Sequence, residues 1–220
     1  MINRKAFCQI LVLSVAFSLL GTVSQTAAQS KQGIELYNTW QYQEAEKVFR
    51  EELKADPNNT PANFYLGLTV LGQEKYKDAL DLFVRVYKSQ QRADQRTRSA
   101  VPSEYQIQLA MAQARIGLKQ YADAWKNLES ARIEDGSASD VYVYRGLYYL
   151  EQDKIKEAEK ELEKAIALDG KNPYAYYYAG LAHHKAGNPQ RAVEDLKMFL
   201  QLAPNAPEAP KAKLLHDQLC

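Results

Sequence analysis

Apolar side chains recur along most of this chain at intervals of three and four residues, the period of one face of an α-helix. Phe64, Leu68 and Leu71 make one such stripe, and Val143, Leu147 and Leu150 make another. A second kind of stripe follows each of these after a short polar break: Ala79, Leu82, Phe83 and Val86, then Ala158, Leu162, Ala165 and Ile166. The pattern predicts paired helices and an all-α fold. A helix pair of this size cannot bury both of its apolar faces, so neighbouring pairs must stack and share one continuous core.

The stripes repeat with a length of 34 residues. Alignment on a recurring alanine gives Trp40-Gln-Tyr-Gln-Glu-Ala45, Glu74-Lys-Tyr-Lys-Asp-Ala79, Lys119-Gln-Tyr-Ala-Asp-Ala124, Asp153-Lys-Ile-Lys-Glu-Ala158 and Gly187-Asn-Pro-Gln-Arg-Ala192. Twelve residues before each alanine stands a small residue: Gly33, Gly67, Ala112, Gly146 and Gly180. Four residues after it stands a large apolar one: Phe49, Phe83, Leu128, Leu162 and Leu196. The small residues mark places where helix backbones cross closely. Turn-forming runs such as Asp56-Pro57-Asn58-Asn59 and Asp169-Gly170-Lys171-Asn172 close several units.

The small, tyrosine, alanine and large apolar positions at this spacing resemble the tetratricopeptide repeat family, whose unit is two antiparallel helices. The resemblance tiles residues 26–59, 60–93, 105–138, 139–172 and 173–206. Ile155 and Pro189 depart from the usual tyrosine, while Gln91, Gly136 and Gly170 replace the closing proline. The resemblance implies a right-handed superhelical solenoid of about five helix-turn-helix repeats, with residues 29–93 forming repeats one and two and 105–206 forming repeats three to five. Residues 94–104 are an insertion between them, made locally basic by Arg92, Arg96 and Arg98 and open to an acidic partner or simply solvated. Residues 207–220, where Lys211, Lys213, His216 and Asp217 alternate with Leu214, Leu215 and Leu219, suit a capping helix with a polar outer face.

The family's first helices line a concave groove that takes a partner's peptide or helix. By that resemblance the partner-binding positions are Phe64, Leu68 and Leu71 in the second unit, and Leu109, Gln113 and Ile116 in the third. Val143, Leu147 and Leu150 follow in the fourth, then Tyr174, Tyr177, Leu181 and His184 in the fifth. This lining is apolar and aromatic. It lacks the paired lysine and asparagine with which some members hold a terminal carboxylate. Eight of the fifteen tyrosines fall in two runs, Tyr142 to Tyr149 and Tyr174 to Tyr178, and tyrosine combines contact area with a hydroxyl handle. Tyr142 and Tyr149 are assigned to the inter-helix core, and Tyr174, Tyr177 and Tyr178 are the candidates for binding.

Ahead of the repeats, Arg4 and Lys5 precede an apolar run over 6–23 and the small residues Thr26, Ala27 and Ala28. This is the layout of a secretory signal peptide over residues 1–28, cut after Ala28. It predicts an exported product, periplasmic in a host with an outer membrane and otherwise secreted, with no stable membrane span after cleavage. An uncleaved segment would instead make a membrane-anchored adaptor. Removal of residues 1–28 takes Arg4, Lys5 and Cys8 with it, leaving 26 basic residues against 27 acidic and a single cysteine, Cys220. A near-neutral chain has no broad basic field for nucleic acid, which disfavours the alternative of an RNA-binding helical repeat.

The sequence offers no candidate catalytic site, metal site or cofactor site. His183 and His184 are adjacent, so a helix points them about 100° apart and they cannot chelate one ion together. Glu157, Glu159, Glu161 and Glu163 interleave with Lys156, Lys160 and Lys164, the pattern of a solvated helix face. The functional expectation is therefore a non-enzymatic protein interaction scaffold of the cell envelope.

Overall fold

The computed structural model of the chain describes residues 30–92 and 102–220. The expected signal peptide and most of the insertion lie outside the described residues. Eleven helices and no strands are present among those that are described. They are α1 (described over 30–38), α2 (Tyr42–Ala55), α3 (Thr60–Gly72), α4 (Tyr76–Arg92), α5 (Glu104–Gly117), α6 (Tyr121–Glu134), α7 (Ser139–Leu150), α8 (Ile155–Leu168), α9 (Pro173–Lys185), α10 (Pro189–Leu202) and α11 (Ala209–Leu219). From α2 to α11 each helix packs against its chain neighbour, and α3, α5 and α7 also touch the next first helix along the stack.

The helix starts follow local chemistry. Asn59 accepts a hydrogen bond from the Ala62 amide ahead of α3, and Asn172 and Asn188 cap α9 and α10 in the same way, each with proline in the first turn. Before α5, Ser103 and Gln106 exchange bonds in a capping box, which ends the insertion sharply. Within every unit the two helices are joined by a turn whose residue lies in the left-handed region: Trp40, Glu74, Lys119, Asp153 and Gly187.

The recurring residues form the spine of the core. Ala45, Ala79, Ala124, Ala158 and Ala192 are fully buried, as are Phe49, Phe83, Leu128, Leu162 and Leu196. Each of these large side chains fills the space opposite the small residue of its own unit. Tyr142 is in the core as expected, its hydroxyl donating to the Gly136 carbonyl, whereas Tyr149 is half-buried against Trp125. Polar groups enclosed by the stack are mostly paired: Glu52, fully buried, accepts from Ser30 Oγ and from Asn59 Nδ2 at 2.9 Å, tying α1 to the turn ahead of α3. The capping expectation for the C-terminus is met by α11, whose Ala209 and Ala212 close the end of the core.

Candidate functional site

The concave side of the stack encloses a half-open cavity of about 740 Å³. Alternate helices supply its wall: Leu68 and Leu71 from α3, Gln113 and Ile116 from α5, Leu147 and Leu150 from α7, and Tyr174, Tyr177 and Leu181 from α9. Those nine residues are among the ones assigned to the groove by sequence.

Four others are placed elsewhere. Phe64 is 6% exposed with its ring 5.8 Å from that of Phe83, and belongs to the core. Leu109 and Val143 share a buried cluster with Val141, Tyr142 and Ala175. The three lie one helical turn ahead of Leu68, Gln113 and Leu147, on the same helix faces but inside the core. His184 is exposed outside the cavity, and its wall position is taken by Lys185. His183 turns inward, with Nδ1 2.6 Å from Asp195 Oδ2 and Nε2 3.9 Å from Glu159 Oε1, so the two histidines diverge. Among the described residues no group of His, Cys, Asp and Glu is arranged to hold a metal ion.

The cavity also contains residues that the periodicity did not single out. Tyr37, Trp40 and Tyr42 approach from the first unit, Pro207 and Glu208 from the turn that leads into α11, and Lys211 from α11 itself. Trp40 packs against the cluster formed by Tyr177, Phe199 and Ala203, so the first hairpin meets the last unit across the concave face. Two glycines seat the flanking tyrosines. A Cβ on Gly72 would lie 2.5 Å from the Tyr42 ring, and one on Gly117 would lie 2.5 Å from the ring of Tyr76. Trp40 had one visible signal, a large aromatic in a turn position that is polar or glycine in the other units.

Electrostatics keep the tyrosines neutral. Burial pushes the phenols of Tyr42, Tyr174 and Tyr178 far above their ordinary value, and the nearby Glu208 carboxylate raises them further. The same two causes raise Tyr177 to about 12. Each ring therefore offers an uncharged aromatic face and a hydroxyl that can donate or accept. Tyr174 uses its hydroxyl to donate to Glu208 Oε2 at 2.9 Å.

A smaller depression of about 400 Å³ lies between α3 and α4, lined by Asn58, Thr60, Asn63, Arg85, Lys88, Ser89 and Arg92. It contains the upstream part of the expected basic stretch, whereas Arg96 and Arg98 fall outside the described residues.

A sequence profile described as the tetratricopeptide repeat matches residues 30–95, 109–173 and 145–207, and the chain belongs to that family. Solved structures agree. A tetratricopeptide repeat protein of Thermus thermophilus, TTC0263, superposes with a TM-score of 0.70 at 18% identity, over 88% of this chain and 98% of that one. Cut9, in its complex with Hcn1, gives 0.66 at 15% identity over 88% of this chain and 36% of its own length. MamA of Desulfovibrio magneticus gives 0.53 at 15% identity, covering 83% of this chain and 97% of that one. At these identities the likeness is one of fold. A comparison with curated protein sequences finds no match. The fold is that of a protein interaction scaffold. No helix among the described residues is long and apolar enough to cross a membrane.

Proposed function

We propose that this protein is a non-enzymatic scaffold of the cell envelope that holds a segment of a partner protein in its concave cavity. The observation carrying this reading is the wall itself: four consecutive first helices turn Leu68, Ile116, Leu147, Leu181 and their neighbours toward one shared space. Apolar and aromatic side chains that border a cavity are where a partner's side chains gain the most from leaving water. A space of this volume is in the range of pockets that take compact ligands. With the first hairpin closing one side, it suits a short peptide or the end of a helix better than a long helix laid along the stack.

A photo-crosslinking residue at Leu147, compared with one at Lys160 on the outer face, tests this in cells. A partner adduct specific to position 147, lost when Leu181→Asp is added, supports the cavity. Equal adducts at both positions, or adducts indifferent to Leu181→Asp in a protein of unchanged helicity, overturn it. Export is supported by Arg4, Lys5, the apolar run and Ala28, and sequencing of the mature N-terminus tests it: a protein retaining Met1 contradicts cleavage.

A further inference from the structure

Three carboxylates line the cavity, those of Glu74, Glu151 and Glu208, and none has an ion-pair partner among the described residues. Of the two lysines there, Lys185 is taken by Asp153, its Nζ lying 2.6 Å from Oδ1. The remaining Lys211 leaves the wall with an excess of negative charge.

The aromatic residues are gathered about one of these carboxylates. The Tyr174 hydroxyl fixes Glu208. The Tyr174 ring centroid is 6.4 Å from that of Tyr177 and 6.3 Å from that of Tyr178, and the latter two are 5.1 Å apart. Tyr177 is 4% exposed, borders the cavity, and its hydroxyl is bonded to none of the described residues. A hydroxyl left open at the cavity beside a pinned carboxylate and two further rings forms a receptor with a definite preference. Ring faces and carboxylate oxygens attract a cation that brings its own hydrogen-bond donors, and both repel an anion.

We infer that the cavity recognises a basic side chain, lysine or arginine, carried by the bound partner segment, and that it seats this group among Tyr174, Tyr177, Tyr178 and Glu208. The inference rests on the cavity being the partner site and adds the chemistry that selects the partner. The apolar wall receives the rest of the segment. The group's charge is met by Glu208 and, at longer range, by Glu74 and Glu151.

The test uses the purified protein and two labelled peptides that share one leucine and alanine frame, one carrying lysines and the other glutamates at the same positions. Fluorescence anisotropy should show the lysine peptide binding roughly tenfold or more tightly than its twin, with the difference shrinking as salt rises. Glu208→Gln keeps an acceptor for Tyr174 and should remove most of the preference, and Tyr177→Leu should weaken the lysine peptide alone. Equal binding of the two peptides, or a preference untouched by Glu208→Gln, overturns the charge selection while the cavity stands. Lysine-peptide binding indifferent to Leu147→Asp places the contact elsewhere and overturns the cavity reading with it.

Discussion

A Cβ built on Gly146 would lie 2.5 Å from Cγ of Leu162, sixteen residues further on and fully buried. The same approach recurs between Gly33 and Phe49, Gly67 and Phe83, and Gly180 and Leu196. The two helices of a unit are thus held as close as a bare backbone allows, and the large side chain lies flat across that backbone. The contact is at a branch point rather than a flexible tip, so it cannot yield without moving a helix. Gly146→Leu is expected to cost about 1–3 kcal/mol, with Ala158→Leu acting in the same direction. Urea unfolding followed by circular dichroism measures it, and unchanged midpoints for both variants would contradict the packing described.

The turns inside the units give a second prediction. Trp40, Glu74, Lys119 and Asp153 have φ between 52° and 60°, and Gly187 has φ 75°. Side chains with a Cβ are strained there by about 1–2 kcal/mol. Gly187→Val should therefore lower stability by about that amount. Lys119→Gly, at an exposed position, releases strain but adds freedom to the unfolded chain, so it should change stability by less than about 1 kcal/mol and toward gain. Denaturation midpoints at constant slope decide between these signs.

The register of the stack was legible in the sequence because burial acts on it directly. Every aligned alanine and every large apolar residue four positions later is at zero exposure, and a frame shift of even one residue would have broken that agreement. The inner wall was harder to read. Phe64, Leu109 and Val143 lie on the same helix faces as Leu68, Gln113 and Leu147, and periodicity cannot tell which turn of a face is buried and which borders the cavity. Curvature is a sum of small rotations between units, and no single residue encodes it. That is why the meeting of Trp40 with the C-terminal core cluster, and the presence of Glu208 in the wall, emerged only from the structure. The tyrosine runs were a better guide, since Tyr174, Tyr177 and Tyr178 all reach the cavity.

Arg145 holds three helices together from the outer side. Its Nη1 meets Glu129 of α6, its Nη2 lies 2.9 Å from Glu161 of α8, and its guanidinium carbon sits 4.6 Å from the Trp125 ring centroid. The Arg145 and Glu161 side chains are each only 14% exposed, so screening is limited. Arg145→Ala leaves the enclosed Glu161 carboxylate without its partner and Glu129 with Arg132 alone, and should destabilise by about 2–3 kcal/mol. Arg145→Lys keeps the charge without the planar fork and should recover only part of that loss. A lysine variant as stable as the wild type would reduce the site to a simple charge effect.

Glu46 makes stability depend on acid. Its burial favours the protonated form, but hydrogen bonds from Lys75, Arg50 and Gln73, with the charge of Arg50, outweigh this and lower the carboxyl to about 2 from an ordinary 4.5. A group whose pKa is depressed by folding stabilises the native state above its unfolded value and loses that contribution as pH falls through the folded one. The window here runs from about pH 5 down to about pH 2. Glu46→Gln should therefore lower the unfolding midpoint at neutral pH, and the gap to the wild type should narrow through that window as Glu46 takes up its proton. Because Lys75 and Gln73 belong to the second unit, the same titration loosens the first unit from its neighbour. Protection factors of the α2 amides, taken relative to the intrinsic exchange rate at each pH, should fall on acidification more steeply in the wild type than in Glu46→Gln. A gap between the two proteins that stays constant from neutral pH to pH 2 would show that the Glu46 carboxylate contributes nothing through its charge.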